Sequence, residues 1–194
     1  MAPRVPGRVL PQSFYSRNTL KVARSLLGCT LVRRIGKTWL WGRIVETEAY
    51  RGEDDPACHA AAGRTPRTAL MYGPPGRAYV YFNYGMHHLL NVVTEKEGYP
   101  AAVLIRALEP LGGLSEMAAF RKRERDLCRG PVRLCQALAI TLAENGARFR
   151  GGPLWIRESV DTSNPVSVGP RIGISKGTER PWRFWITDSA YVSG

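Results

Sequence analysis

Residues 29–50 read CTLVRRIGKTWLWGRIVETEAY, and this stretch decides the fold class. It contains two runs rich in β-branched and apolar residues, 29–35 and 39–50, which are separated by Gly36 and Lys37. Runs of this composition favour extended strands, and a short connection that contains glycine favours antiparallel pairing between them. The sequence therefore predicts a β-hairpin over residues 29–50.

The rest of the chain continues as a mixture of strands and helices. A second hairpin is expected where RAYVYF and MHHLLNVV, within residues 77–93, flank the turn Asn83-Tyr84-Gly85. Further strands are expected at AAVLIRALEP and, in the last third, around PLWIRE, RIGIS and WRFWITD. Helices are expected at residues 20–27, between the capping stretch Ser16-Arg17-Asn18-Thr19 and a stop at Gly28, at 114–125, and at 131–139 with Pro131 in the first turn.

These elements indicate the α+β class, a single compact mixed domain with a largely antiparallel sheet and flanking helices. At 194 residues the chain is long enough for one substantial core, and no internal repeat or low-complexity linker divides it. The proline-containing start, residues 1–13, is expected to be a flexible N-terminal arm. Residues 14–194 are expected to form the one domain.

The charge balance restricts the class of partner. Lysine and arginine number 28 against 16 acidic residues, which gives a net charge of +12 and favours nucleic acid or another polyanion. No apolar run approaches the roughly 18 to 20 residues needed to cross a bilayer. The opening MAPRVPGRVLPQSF has no apolar signal region. We therefore expect no membrane partner and an intracellular location, cytoplasmic or nucleoid-associated if the source is bacterial.

The cysteine and histidine content does not favour a metal site or disulfides. Four cysteines lack CxxC spacing, so reduced thiols are expected. A zinc site that uses Cys58, His59 and a distant pair is an alternative, but four-ligand sites usually have closely spaced ligands. We therefore expect no metal ion.

Two glutamates one residue apart, Glu46 and Glu48, stand in an otherwise apolar segment. Side chains two apart on a strand share a face, so Ile44, Glu46, Glu48 and Tyr50 are expected to point the same way. A carboxylate in such a pair can serve as a general base or acid. The alternative is a solvated face whose carboxylates pair with nearby arginines.

Several other polar or aromatic residues stand in apolar surroundings. Arg106 lies inside the apolar run AVLIRALEP, where a charge needs a partner, and either Glu46 or Glu48 could provide it. That pairing is compatible with a purely structural role. Asn91 needs a hydrogen bond, which could be internal or to a substrate. His59 is more often a structural residue than a catalyst.

The aromatic residues around the second hairpin could contact nucleobases or could belong to the core. Tyrosine rings stack on nucleobases, and an exposed ring at a turn can wedge between base steps. Tyr79 is expected to belong to the core, whereas Tyr84 beside Gly85 is expected to be exposed.

Several segments occur in a fixed order along most of the chain. They are VARSLLG, RIVETEAY, an acidic loop that ends in Cys58-His59, Thr65-Pro66-Arg67, YVYFNYGMHHLLN, VLIRALEP, LCRGPVRLCQALAI, RIGI and WRFW. The order RIVETEAY, YVYFNYGM, LIRALEP is specific, and it resembles the alkyladenine (3-methyladenine) DNA glycosylase family. His87 and His88 depart from the bulkier aromatics of vertebrate members.

The resemblance implies a curved antiparallel sheet and a base-excision repair reaction, hydrolysis of the bond between a damaged purine and deoxyribose after the nucleotide is flipped out. Glu48 matches the general base that activates water, and Arg106 matches a basic residue that positions it. Tyr50, His59 and Tyr81 match residues that contact the flipped base. Asn91 matches the residue that disfavours guanine, and Tyr84 the side chain that fills the gap in the duplex.

The resemblance also sets expectations for the enzyme as a whole. No lysine stands beside Glu48, so a monofunctional enzyme that leaves an abasic site is expected, as a monomer on double-stranded DNA with damaged purines and without a cofactor. Expected substrates are 3-methyladenine and, as further candidates, 7-methylguanine, hypoxanthine and ethenoadenine. A non-catalytic nucleic-acid-binding module is the alternative, and a sugar hydrolase with two carboxylates is a second one.

Overall fold

The structure is a computed structural model that describes residues 5–83, 85–161 and 163–194. In these residues eight strands form one antiparallel sheet with the neighbour order β3-β4-β5-β2-β1-β6, and β8 pairs with both β2 and β7. The strands are β1 (Thr30–Ile35), β2 (Thr38–Arg51), β3 (Ala78–Asn83), β4 (His87–Val93), β5 (Ala101–Gly112), β6 (Leu154–Arg157), β7 (Val166–Gly169) and β8 (Arg183–Ile186). The sheet curls into a half-barrel, which confirms the predicted α+β class and curvature.

Four short helices pack beside the sheet. They are α1 (Gln12–Tyr15), α2 (Thr19–Ser25), α3 (Leu114–Arg121) and α4 (Pro131–Ala137). The Asn18 side chain accepts hydrogen bonds from the backbone of Leu20 and Lys21, which confirms the expected cap. The two later helices end before their predicted limits, because Lys122 and Ala139 adopt left-handed backbone conformations. In the described residues no helix has the length and apolarity to cross a membrane.

The longest strand, β2, lies at the centre of the sheet and carries the two glutamates. It pairs with β1 through its first half, with β8 at Glu46–Glu48, and with β5 along most of its length. The pairing with β5 shifts register between Ile44 and Glu46 and again between Glu46 and Thr47. Such irregularities bend a strand and re-aim its side chains. Ile44 and Val45 both join the main core, so the expected strict alternation begins only at Glu46.

Two apolar clusters hold the domain together. The larger one fills the space between the sheet and the helices, with Leu31, Ile105 and Leu134 among its fully buried members. Burying a side chain of this size stabilises a fold by about 1.5–3 kcal/mol. The smaller cluster contains Cys58, Met71 and Tyr79, and the burial of Tyr79 confirms its predicted place in the core. The functional cavity described below borders this second cluster.

Two segments in the last third of the chain differ from the sequence-based expectation. Residues 171–175, RIGIS, were expected as a strand but form a loop, since Gly173 has a φ of 74°, which a β-strand does not accommodate. The short strand β7 was not predicted at all. Within the expected N-terminal arm, Val5 and Leu10 are buried, and Arg157 Nε donates to the carbonyl of Gly7 at 2.8 Å.

Candidate active site

A cavity of about 420 Å³ opens where the second hairpin, β5, α4 and two loops meet. Its lining consists of Tyr50, Ala57, His59, Met71, Tyr79, Tyr81, Asn83, His87, Leu89, Asn91, Ala102, Leu104, Arg106, Pro131, Val132, Ile172, Gly173 and Ile174. We call this space the main cavity. Five of the seven site residues predicted from the sequence line it: Tyr50, His59, Tyr81, Asn91 and Arg106.

The second hairpin supplies one wall by strand alternation. Alternate residues of β3 and β4 face the cavity in three cross-strand pairs, which are Tyr79 with Asn91, Tyr81 with Leu89, and Asn83 with His87. Tyr79 and Asn91 are buried, while the third pair is partly exposed. The mouth of the cavity therefore lies toward the hairpin turn.

Glu48 lies directly behind the cavity wall rather than in it. The side chain is fully buried, and each of its contacts is to a residue that does line the cavity. Tyr50 Oη donates to Oε2 at 2.8 Å, and the Ile172 amide donates to Oε1 at 2.7 Å. Arg106 Nη1 stands 3.2 Å from Oε1. The carboxylate is thus held in one orientation by three groups of the cavity wall.

Glu46 pairs with arginines, as the alternative for the two glutamates expected, but it is fully buried rather than on a solvated face. Its Oε1 accepts from Arg106 Nε at 3.0 Å and from Arg183 Nε at 2.7 Å. Arg106 therefore bridges the two carboxylates, whereas the sequence left open which of them it binds. Two guanidinium groups face two buried carboxylates, so the cluster is close to neutral. An unpaired charge at this depth would be strongly unfavourable.

Ser193, near the end of the chain, completes this network. Its amide donates to Glu46 Oε2 at 2.7 Å, and its hydroxyl oxygen accepts from Arg106 Nη2 at 3.1 Å. Its carbonyl accepts from Arg183 Nη2 at 2.8 Å. Three polar groups of one residue therefore fix the guanidinium groups around Glu46.

Removing the Ser193 hydroxyl should disturb Arg106 without removing any group that contacts Glu48. A hydrogen bond to a charged group contributes about 1.5–3 kcal/mol. We therefore expect the Ser193→Ala variant to lose about tenfold in the single-turnover rate of the base excision that the resemblance implies. The measurement is the rate at saturating protein, alongside the affinity for substrate. The Ser193→Thr variant should keep most of the rate. An unchanged rate in Ser193→Ala would show that Ser193 only stabilises the fold.

A buried ion pair fixes the loop that contributes Ile172. Arg171 Nη1 and Nη2 donate to the two oxygens of Asp55 at 2.6 and 2.8 Å, and both side chains are fully buried. Arg171 Nη1 also donates to the carbonyl of Ala49. Its guanidinium group lies 4.7 Å from the centre of the Tyr50 ring. Asp55 therefore positions both Tyr50 and the Ile172 amide through the side chain of Arg171.

The Tyr50 hydroxyl stays protonated and therefore always donates to Glu48. Burial, and then the nearby Glu48 charge, raise the pKa of Tyr50 well above its ordinary value. The hydroxyl therefore keeps its proton throughout the pH range in which a protein is handled. One face of the ring is covered by Arg171, and the residue itself lines the cavity.

His59 forms an aromatic corner with two tyrosines. Its ring centre lies 4.5 Å from that of Tyr81 in an edge-to-face arrangement. Nδ1 stands 2.9 Å from Tyr79 Oη, and Nε2 stands 3.4 Å from Arg67 Nη2. Since arginine only donates, Nε2 accepts and the neutral ring carries its hydrogen on Nδ1. The ring is therefore oriented by both of its nitrogens.

We expect His59 to stay neutral down to acidic pH. Burial, with repulsion from Arg67, lowers its pKa from 6.5 to about 4. The unfolded chain takes up this proton between pH 6.5 and 4 while the folded protein does not, so His59 lowers stability as pH falls through that window. An NMR titration of the ring protons should give a midpoint near 4. A midpoint between 6 and 7 would contradict the burial argument.

Asn91 and Tyr84 complete the predicted set. Asn91 is buried, its Nδ2 donates to the Tyr79 carbonyl at 3.1 Å, and the residue lines the cavity. Asn91 therefore makes the internal hydrogen bond that was one of the two expectations, and its place in the cavity lining is also compatible with a contact to a substrate. Tyr84 lies outside the described residues. His87, whose role the sequence left open, also lines the cavity, and its Nδ1 is buried with no hydrogen-bond partner in the described part of the chain.

Three residues important to this geometry had no sequence signal. Asp55 was one acid among several in a loop, and Arg171 was counted only among basic surface residues. Ser193 stands in a stretch without a motif. Asp55 and Arg171 are 116 residues apart and Arg106 and Ser193 are 87 residues apart, so no local spacing indicated these contacts.

The comparison with protein families decides the assignment. The model of the family described as methylpurine-DNA glycosylase matches residues 13–190. The chain belongs to the methylpurine-DNA glycosylase family. The matched range contains Glu48 and every residue of the main cavity. The resemblance noted from RIVETEAY and the following segments is thereby confirmed.

Relatives of this methylpurine-DNA glycosylase family member match over nearly their whole length. A protein of Burkholderia lata is 49% identical over 199 residues, covering 100% of this chain and 95% of the relative. One of Methanocella arvoryzae is 50% identical over 192 residues, covering 95% and 96%. One of Carboxydothermus hydrogenoformans is 49% identical over 189 residues, covering 95% and 98%. Each carries the name "Putative 3-methyladenine DNA glycosylase".

The alternative zinc site can be compared with the geometry around Cys58. In the residues that the structure describes, no three His, Cys, Asp or Glu side chains are grouped to hold a metal ion. Cys58 packs in the small apolar cluster, and burial raises the pKa of its thiol to about 12. All four cysteines are free thiols, as expected.

Proposed function

We propose that this protein turns alkylated purine nucleotides out of duplex DNA and hydrolyses their N-glycosidic bond, leaving an abasic site. Membership of the methylpurine-DNA glycosylase family and relatives named for 3-methyladenine support the reaction class. One observation carries the residue assignment: Glu48 is held by Tyr50, Arg106 and Ile172, all three of which line the main cavity. A carboxylate at the wall of a cavity of about 420 Å³ suits a general base.

The hydrogen bonds of Glu48 leave room for one more donor. A carboxylate has about four acceptor positions. The Ile172 amide donates to Oε1 and the Tyr50 hydroxyl donates to Oε2, while Arg106 forms an ion pair with Oε1. The remaining position on Oε2 is where we place the nucleophilic water. Because Glu48 is fully buried, Tyr50 or the Ile172 loop must move slightly when the nucleotide enters.

In the proposed reaction this water attacks C1′ of the sugar while the bond from C1′ to the purine nitrogen breaks. The bonding electrons pass to the purine, which leaves as a neutral base when alkylation had made it cationic. The proton of the water passes to Glu48, and the sugar keeps the new hydroxyl group. Arg106, fixed by Glu46 and Ser193, keeps the carboxylate and the water in line.

The walls of the main cavity suit a flat, electron-poor base. We place the purine between Tyr50 on one side and the contacting pair His59 and Tyr81 on the other. Aromatic faces attract cations, and a neutral His59 adds no repulsion against an alkylated base. Stacking of this kind is worth about 1–3 kcal/mol per base. Asn91 then contacts the base edge and disfavours the 2-amino group of guanine.

Three finer parts of the proposal extend beyond this geometry. Tyr84 fills the gap in the duplex, the protein acts as a monomer, and the substrates include 7-methylguanine, hypoxanthine and ethenoadenine in addition to 3-methyladenine. The neutral lesions hypoxanthine and ethenoadenine require the leaving base to gain a proton, which a cationic lesion does not.

A panel of duplexes, each with one damaged purine, tests the proposal. The protein is incubated with each duplex and the products are treated with alkali, which breaks the strand at an abasic site. We expect breaks at alkylated purines only after alkali. Strand breaks before alkali would contradict the monofunctional reaction. No breaks with any lesion, despite tight binding, would favour the non-catalytic module.

A further inference from the structure

A second cavity adjoins the main one and is rich in arginine. Its volume is about 440 Å³, and it shares Arg106, Pro131, Val132 and Ile172 with the main cavity. Because these four residues line both spaces, the two cavities lie side by side. We call the second space the arginine cavity.

The charges of the arginine cavity favour an anion. Arg129 and Arg133 line it with exposed side chains, whereas the buried guanidinium group of Arg106 is already paired with Glu46 and Glu48. Asp126 is the acidic side chain among its described lining residues. Arg129 Nε donates to the Val192 carbonyl at 2.9 Å, which orients this guanidinium group.

The ion pairs of Asp126 leave both arginines available. Its oxygens stand 3.9 Å from Arg129 Nη1 and 3.8 Å from Arg133 Nη1, and all three side chains are about half exposed. Exposed pairs at such distances contribute little to stability. A phosphate oxygen, which accepts several charge-assisted hydrogen bonds, can therefore replace Asp126 as their partner.

We propose that the arginine cavity binds the phosphodiester group next to the everted nucleotide, while the base occupies the main cavity. Arg129 and Arg133 contact its non-bridging oxygens. This inference rests on the proposed function, because an everted nucleotide joins a base and a phosphate that must lie in adjoining spaces. It assigns to two arginines a contact at the lesion itself rather than a general attraction to DNA.

The test measures each protein variant with each of several changed DNA duplexes, so that the two effects can be compared. The duplex carries a tetrahydrofuran abasic analogue, so no base is excised during the measurement. In separate duplexes the phosphate 5′ or 3′ to the analogue, or one several nucleotides away, is replaced by an uncharged methylphosphonate. Dissociation constants are measured across a range of salt for the wild type, Arg129→Gln and Arg133→Gln.

We expect each variant to bind about tenfold more weakly and to lower the salt slope by less than about 0.9, the value for one whole phosphate contact, because the two arginines share that contact. A methylphosphonate beside the analogue should then weaken binding by each variant less than it weakens binding by the wild type, because one of the two arginine contacts to that phosphate is already absent. With the methylphosphonate at the distant position, the factors by which the protein variant and the DNA change raise the dissociation constant should multiply, because the two changes are independent. Losses that multiply at every position, or unchanged binding by both variants, would overturn the proposal.

Two control variants sharpen the result. Asp126 has a left-handed backbone conformation that asparagine tolerates, so Asp126→Asn removes the competing charge with little strain. It should tighten binding several-fold, and weaker binding would count against the proposal. Arg150→Gln, in a different cavity, should show no coupling to the methylphosphonate beside the analogue. A wild type that does not prefer the analogue over undamaged duplex would instead contradict the proposed function.

Discussion

The Glu48→Gln variant is expected to lose nearly all base excision while still binding lesion-containing duplex. A general base contributes about 10²- to 10⁴-fold to rate, and glutamine cannot take the proton of the water. The amide keeps the size of the side chain; its one oxygen can accept from the Ile172 amide, and its NH2 group can donate to the Tyr50 hydroxyl oxygen, where the bonds to Glu48 measure 2.7 and 2.8 Å. The measurement is the single-turnover rate of base release with protein in excess.

A matched control separates this effect from a general loss of acidic charge. Asp54 stands six residues later, with a side chain 74% exposed, and Asp54→Asn should excise at the wild-type rate. If Glu48→Gln also excised at the wild-type rate, the base would have to be another residue. If Glu48→Gln lost folding as well as excision, its thermal unfolding would reveal this before any kinetic comparison.

The Arg171→Leu variant is expected to show the largest loss of stability. It leaves Asp55 fully buried without its bidentate partner. Removing one member of a buried pair costs about 3–5 kcal/mol, which corresponds to about 6–20 °C in Tm for a chain of this size. Chemical unfolding followed by tryptophan fluorescence measures it. Excision should fall too, because the Ile172 amide and Tyr50 lose their support.

The double variant Asp55→Leu with Arg171→Leu tests the cause. A buried ion pair replaced by apolar side chains is often nearly neutral, so the double variant should be more stable than Arg171→Leu alone. If the double variant lost as much stability as Arg171→Leu, or as much as the two single variants together, the packing around Arg171 rather than an unpaired charge would determine stability. Since Arg171 also contacts Tyr50 and Trp182, some loss of stability should remain in the double variant.

Local patterns in the sequence were sufficient for the main elements of the fold. Runs of β-branched and apolar residues predicted both hairpins, and the capping stretch 16–19 predicted the start of α2. The same reasoning failed at residues 171–175, where alternating isoleucines resemble a strand. There the backbone of Gly173 and the pairing of Arg171 with Asp55 override the pattern. Propensity is a weak guide where a tertiary contact fixes the chain.

The candidate site was predictable where unusual residues stood in apolar runs. A buried charge requires a partner, which led from Arg106 to the two glutamates, and the structure places Arg106 between them. The separate roles of Glu46 and Glu48 depend on Arg183, Ser193 and Ile172, which are distant in the chain. Such contacts arise only from folding. The burial of Glu48 behind the cavity wall likewise had no sequence signal.

A crystal structure of the Glu48→Gln variant bound to a duplex with one alkylated purine tests the account most directly. It should place the damaged base in the main cavity, against Tyr50, His59 and Tyr81, with a water molecule between position 48 and C1′ of the sugar. A complex in which the base stays stacked in the duplex, or in which position 48 remains sealed from the sugar, would contradict it.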